Sequence, residues 1–184
     1  MLGRLGFSAA LVTLIAAIVI PTAGASAPIQ EEIVFTDVTY PDFYLSDACG
    51  TTVLDTVSVS LSVTFFPAAH GSPAHEVDTL TNGTITYSSP DTGNSVTRPM
   101  SGTSHAVYPE GIEPGSPALM TMTGVNTSSF TGTAPPGSGQ LVANGTILFL
   151  DDVGVPVTFF ETSDIVSMRG TYDATTAGIC AALT

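Results

Sequence analysis

Between residues 57 and 65 the chain reads as a strict alternation: Val57, Val59, Leu61, Val63 and Phe65 are separated by Ser58, Ser60, Ser62 and Thr64. A period of two places all five apolar side chains on one face, the pattern of a strand with one wet and one buried side. Shorter stretches with the same period cover 32–45, 79–87, 95–107, 118–130, 140–150 and 155–172. No stretch beyond residue 26 carries the three-to-four-residue period of a useful helix. Turn-forming clusters separate the segments, at 88–94, 108–115 and 134–139, each rich in Gly, Pro, Asn, Asp or Ser. Asn-Gly pairs at Asn82-Gly83 and Asn144-Gly145 lie within such β-type runs, where they predict the positive φ of a tight hairpin or a bulge. Many short strands with Gly and Pro in the joints predict a single antiparallel all-β domain.

The first residues follow a different rule. Arg4 precedes an apolar run from Leu5 to Ile20, then Pro21 and the small residues Ala23-Gly24-Ala25-Ser26-Ala27. This is the three-part layout of a secretory signal peptide at 1–25, cleaved after Ala25 or alternatively after Ala27. An apolar run of about 16 residues is short of the roughly 20 needed to span a bilayer, so no membrane span is expected in the mature form. Export places Cys49 and Cys180, the only two cysteines, in an oxidising compartment and predicts one disulfide between them.

The disulfide constrains strand number. Cys49 falls at the joint after the first strand, so the chain leaving the last strand must return to the same end, because bridged Cα atoms lie within about 7 Å. An odd number of alternating strands satisfies this, with 155–172 as one bent strand interrupted by Glu161-Thr162-Ser163-Asp164. The expectation is an antiparallel β-sandwich or flattened β-barrel of about seven to nine strands, formed by residues 26–184.

The series Ala48-Cys49-Gly50, Thr84-Ile85-Thr86-Tyr87 leading to Asp91-Thr92-Gly93-Asn94-Ser95-Val96 and Ser101-Gly102, then Gly170-Thr171-Tyr172-Asp173 and Cys180-Ala181-Ala182-Leu183 resembles a group of exported actinobacterial β-proteins. Those proteins place one cysteine early, a Thr-Gly hairpin mid-chain and a Cys-Ala-Ala-Leu ending. The present chain departs from them by a longer interval before its last cysteine. The resemblance implies export, a disulfide and a β-fold, and carries no implication for chemistry.

Charge narrows the partners. The 16 Asp and Glu residues face three Arg and no Lys, for a net charge of −13. A surface this negative repels phosphate backbones and anionic headgroups, which excludes nucleic acid as a partner. Three histidines occur, and His70 and His75 share the 67–77 loop with Glu76. Strict alternation brings that loop to the same end as 108–118 and 151–154, so the upper rim is expected to gather His70, His75, Glu76, Glu110, Glu113, Asp151 and Asp152. Such a patch offers oxygen and imidazole donors for Ca²⁺ or Zn²⁺, although its spacing matches no dedicated metal motif, and the default expectation is no cofactor. There is no Gly-x-Ser-x-Gly stretch for a serine hydrolase and no glycine loop opening a helix for phosphate. Tryptophan is absent, which weighs against a sugar-cleaving cleft. The Asn-x-Ser/Thr triplets at Asn82, Asn126 and Asn144 read as chance in a Thr-rich chain.

The functional expectation is a secreted, non-catalytic module that binds a small ligand or a cell-surface component. The rival is a small β-barrel enzyme resembling dirigent or cyclase barrels, and a third reading is a structural envelope protein. A filled core favours the first, and an interior cavity with inward acids or an inward Arg98 favours the enzyme. For the leader, intact-mass spectrometry of the exported protein is expected to give a chain starting at Ser26, two mass units lighter than the reduced form; a product retaining Met1 would overturn the cleavage.

Overall fold

The computed structural model describes residues 27–184, so the expected signal peptide lies outside the described residues. Strand β1 (Ile29–Pro41) is followed by a short helix α1 (Phe43–Cys49) and by β2 (Leu54–Phe66), β3 (Ala74–Ser88), β4 (Ser95–Tyr108), β5 (Pro117–Val125), β6 (Ser138–Leu150), β7 (Pro156–Phe159), β8 (Ile165–Gly170) and helix α2 (Tyr172–Leu183). Every pairing is antiparallel and sequential from β1 to β7, while β8 also pairs with β6. The result is one sheet curled into a half-barrel rather than two sheets face to face.

The alternation of residues 57–65 is realised in β2, where Val57, Val59, Val63 and Phe65 are buried. Curvature comes from bulges, which add a residue to one strand and increase its local bend. One lies at Asp37 in β1, and another at Asn82 in β3, where φ is 53° and the register slips between Leu80 and Gly83. The second Asn-Gly pair differs: Asn144-Gly145 runs through β6 in regular register, with Gly145 packed so closely that a Cβ would stand 2.8 Å from Thr158. There the glycine serves close packing, not a turn.

β7 and β8 both run antiparallel to β6, β7 against Thr146–Leu150 and β8 against Gly139–Ala143. They therefore act as one strand direction broken by a 3-10 turn at Thr162–Asp164, where the sequence places its polar interruption. This keeps the chain's exit at the lower end and permits the Cys49–Cys180 disulfide, whose Cα atoms are 4.9 Å apart.

Both cysteines lie in helices that period-two reading does not predict. In α1 the Asp42 carboxylate accepts from Leu45 N (2.7 Å), a normal N-cap, and Gly50 ends the helix at φ 67° with its N–H on Ser46 O. In α2 the buried residues Tyr172, Ile179 and Leu183 recur at helical spacing and face the sheet. The Thr92 hydroxyl and the Asn94 amide both donate to Leu183 O, which docks the helix end on the β3–β4 turn.

The concave face carries two apolar clusters. The lower one joins Leu45, Val57, Ile85, Tyr87, Ile179 and Leu183 under the helices; the upper one includes Phe65, Ala106, Tyr108, Met120, Met122 and Phe160. A 131-residue loop closed by one disulfide contributes about 4–5 kcal/mol in the chain-entropy account. Replacing Cys49 and Cys180 together by Ser is expected to lower stability by that order in urea titration, with the far-ultraviolet β signal retained in the absence of denaturant.

Candidate functional site

Inward-facing positions of β1 to β5 and β7 leave a cavity of about 210 Å³ in the upper half of the barrel. Its wall is mostly apolar, with Ile33, Leu61, Met120, Met122 and Val157 among the lining residues. The floor is the 3-10 turn Thr127–Thr131, whose Phe130 lines the cavity and packs edge-on against Phe35 (5.1 Å between ring centroids). At the mouth, Glu31 of β1 stands near Asp151 of the β6–β7 turn, across the seam where these edge strands do not pair.

The charged groups of the cavity are all acids, Glu31, Glu76, Asp78 and Asp151, and hydroxyls make up the rest of its polar lining. Glu76 and Asp78 point inward from β3, Ser104 and Tyr108 from β4. The bulge at Asn82 is responsible for the first two. Counting back from the buried Ile85 and Tyr87 by twos reaches Val77 and His75; the extra residue shifts the parity, so Leu80, Asp78 and Glu76 face in. Tyr108 donates to Glu76 Oε2 (3.3 Å) and receives from Thr158 Oγ1 (3.3 Å). Ser104 is only 6% exposed, and neither its Oγ nor Asp78 Oδ1 has a hydrogen-bond partner among the described residues.

Burial governs the ionisation of these acids. It disfavours the charged form, and the neighbouring Asp78 adds like-charge repulsion, so Glu76 is pushed up to about 9. Asp78 is raised to about 6, also by burial. Both shifts act against ionising the two carboxyls together. Glu31 is raised by burial and by Asp151.

A second buried pair lies at the lower end. Asp55 is fully buried with both carboxyl oxygens unpartnered among the described residues, beside Asp42, the cap of α1. Burial and the Asp42 charge raise Asp55 to about 9, and burial raises Asp42 to about 6. Tyr40 and Tyr87 close over this pair; Tyr40 Oη donates to Ser129 O, and the Tyr87 hydroxyl lies 2.9 Å from Ser129 Oγ. Neither the upper cavity nor the shallow clefts beside α1 reach it.

The seven rim residues picked from the sequence are divided by the sheet. Glu76 and Asp151 line the cavity. His75, one position from Glu76, faces outward, stacked on Phe66 (4.6 Å) and edge-on to His105 (5.7 Å). His70, Glu110, Glu113 and Asp152 are exposed in the upper loops. Among the described residues no group of three or more His, Cys, Asp or Glu is placed to hold a metal ion. Asp151 also shapes the β6–β7 turn, where its Oδ1 accepts from Val153 N (3.1 Å) and Val155 N (2.8 Å). Arg98 lies at the lower end beside Pro99 and Asn126, away from the cavity. Sequence reasoning missed Glu31, Asp78, Ser104 and Tyr108; the signal for the β3 acids was the Asn82 bulge.

No protein family, curated protein or solved structure matches this chain. The chemistry of the site therefore rests on its own geometry: an apolar chamber in which one carboxyl of a pair is neutral and able to donate, while its partner is able to accept.

A carboxyl whose pKa rises on folding contributes stability that is complete below about pH 4, the unfolded value, and is lost as pH climbs through the folded value. With Asp78 and Asp42 near 6, and Glu76 and Asp55 near 9, stability is expected to fall across pH 4 to 9. Urea unfolding at pH 4, 6.5 and 9 checks this. Glu76→Gln and Asp55→Asn should each flatten the slope and stabilise the protein at pH 9 by on the order of 1–3 kcal/mol.

Proposed function

We propose that the protein is a secreted β-domain that binds a small, mostly apolar molecule inside the concave face of its half-barrel. The observation that carries this reading is the cavity itself, a mostly apolar chamber into which a limited set of polar side chains converges, which is the usual form of a small-molecule site. Its size suits a ring-sized body, since a cavity of about 150 Å³ already holds a benzene. A purely structural envelope role gives no reason for acids turned inward, where burial penalises them.

A second reading is the barrel enzyme, for which an interior cavity with inward acids is the favouring sign, and the cavity with its Glu76–Asp78 pair supports it. Two interacting carboxyls with separated pKa values form an acid and a base within reach of one ligand, the arrangement expected of proton-transfer catalysis. In that reading Glu76 protonates the bound molecule, Asp78 accepts a proton from it, and Tyr108 positions Glu76. Binding comes first in both readings.

The test is to fill the chamber. In ¹H–¹⁵N spectra, indole or toluene is expected to shift the amide signals of Ala106, Met120 and Met122, and to leave them in place in Ala106→Phe. Shifts confined to the outer-face His75 and His105 would place binding elsewhere and defeat the proposal.

A further inference from the structure

The charged lining of the cavity has a single sign. Glu31, Glu76, Asp78 and Asp151 all line it, and neither Arg98 nor Arg169 does. An acidic cluster alone specifies no ligand, because such groups can simply take up protons. A second observation is independent of charge: Ser104, 6% exposed, directs into the same cavity an Oγ that has no partner among the described residues. It lies opposite Asp78 in the β3–β4 register, so both inward side chains address one spot. Leaving a buried hydroxyl and a buried carboxylate oxygen unpaired is costly, and a ligand group that donates to both at once removes that cost.

From this juxtaposition we infer that the cavity selects a small organic ammonium ion, its N–H groups shared between Asp78, Glu76 and Ser104 and its apolar body lying against Met120, Met122 and Phe130. The inference rests on the cavity being a ligand site, as proposed above. An ammonium group carries up to three donors and no acceptor, which matches a wall whose free groups are acceptors. A carboxylate or phosphate ligand meets only like charge here. Among the described residues no group of three or more His, Cys, Asp or Glu converges as a bare divalent cation requires. The Tyr108 and Phe130 rings, which also line the cavity, suit an alkylammonium neighbour.

Binding is coupled to a proton. The groups facing Glu76 are Asp78 on the same strand, Tyr108 on β4 and Asp151 from the β6–β7 turn, with Glu31 on β1 facing Asp151 and Asp152. All are acidic or neutral, so the arriving cation is the first positive charge in the set. It lowers the affinity of Glu76 for its proton, which passes to the buffer as the ammonium ion settles. Affinity therefore rises from pH 6 towards pH 9, until the amine itself begins to deprotonate.

Isothermal titration of the disulfide-bonded protein with 2-phenylethylamine, 2-phenylethanol and phenylacetate tests this, because the three share a ring and differ in the terminal group. The amine is expected to bind at least about tenfold more tightly than the alcohol, with phenylacetate weakest. Titration in buffers of different ionisation enthalpy should report up to one proton released per amine bound. Asp78→Asn should weaken the amine about tenfold or more and the alcohol far less; Ser104→Ala, nearly isosteric, gives a smaller loss in the same direction if the first variant folds poorly. Equal binding of alcohol and amine overturns the ammonium inference while the cavity reading survives. Binding of none of the three overturns both.

Discussion

The structure depends on one geometric constraint: in a curled antiparallel meander, every inward position of every strand faces a single shared volume. Side chains alternate with a period of two, so residue choice at one position is tied to residues four or five strands away. Glu31 of β1 meets Asp151 beyond β6 for this reason, although β1 and β7 share no ladder. The helices and the disulfide answer the same constraint at the lower end, where Ile179 and Leu183 of α2 fill the volume that Val57, Ile85 and Tyr87 leave between them. The upper end has no helix, and there the volume remains partly open.

What the sequence allowed one to read follows from which signals are local. The alternation of Val57 to Phe65 is local, and it located β2 and its buried face correctly. The two cysteines, read as one disulfide, carried enough topology to require that the last strand return to the lower end, and β7 and β8, both antiparallel to β6, satisfy that requirement. The helices were lost for physical reasons. Helix α1 has only seven residues, so its Asp42 cap and Gly50 stop are its whole signature, and α2, though it carries four Ala, buries only Tyr172, Ile179 and Leu183, too few large apolar positions to display a helical period.

The site was less legible than the fold because its key event is a change of parity. The same dipeptide, Asn-Gly, produces a bulge at Asn82 and none at Asn144. At Asn82 the bulge exchanges the two faces of β3, turning Glu76 and Asp78 inward and His75 outward. A rim of mixed histidine and acid, which simple proximity in sequence suggests, is thereby separated into an aromatic outer face and an acidic interior. Only the partner strands decide which Asn-Gly bulges, and those contacts are far apart along the chain.

Burial of carboxyls does not by itself identify the site, as the two acid pairs make clear. Asp42–Asp55 and Glu76–Asp78 experience the same penalty from burial and the same mutual repulsion. Yet the lower pair is enclosed beside Tyr40, Tyr87 and helix α1, where Asp42 caps that helix and the unpartnered Asp55 reaches no cavity. The upper pair caps nothing. It opens onto a chamber whose remaining wall is mostly apolar, beside a serine hydroxyl that has no partner among the described residues. A sequence selected for stability alone would favour apolar groups of similar volume at those positions. The difference between the two pairs is therefore one of access, and access is the ground on which we propose a ligand for the upper pair alone.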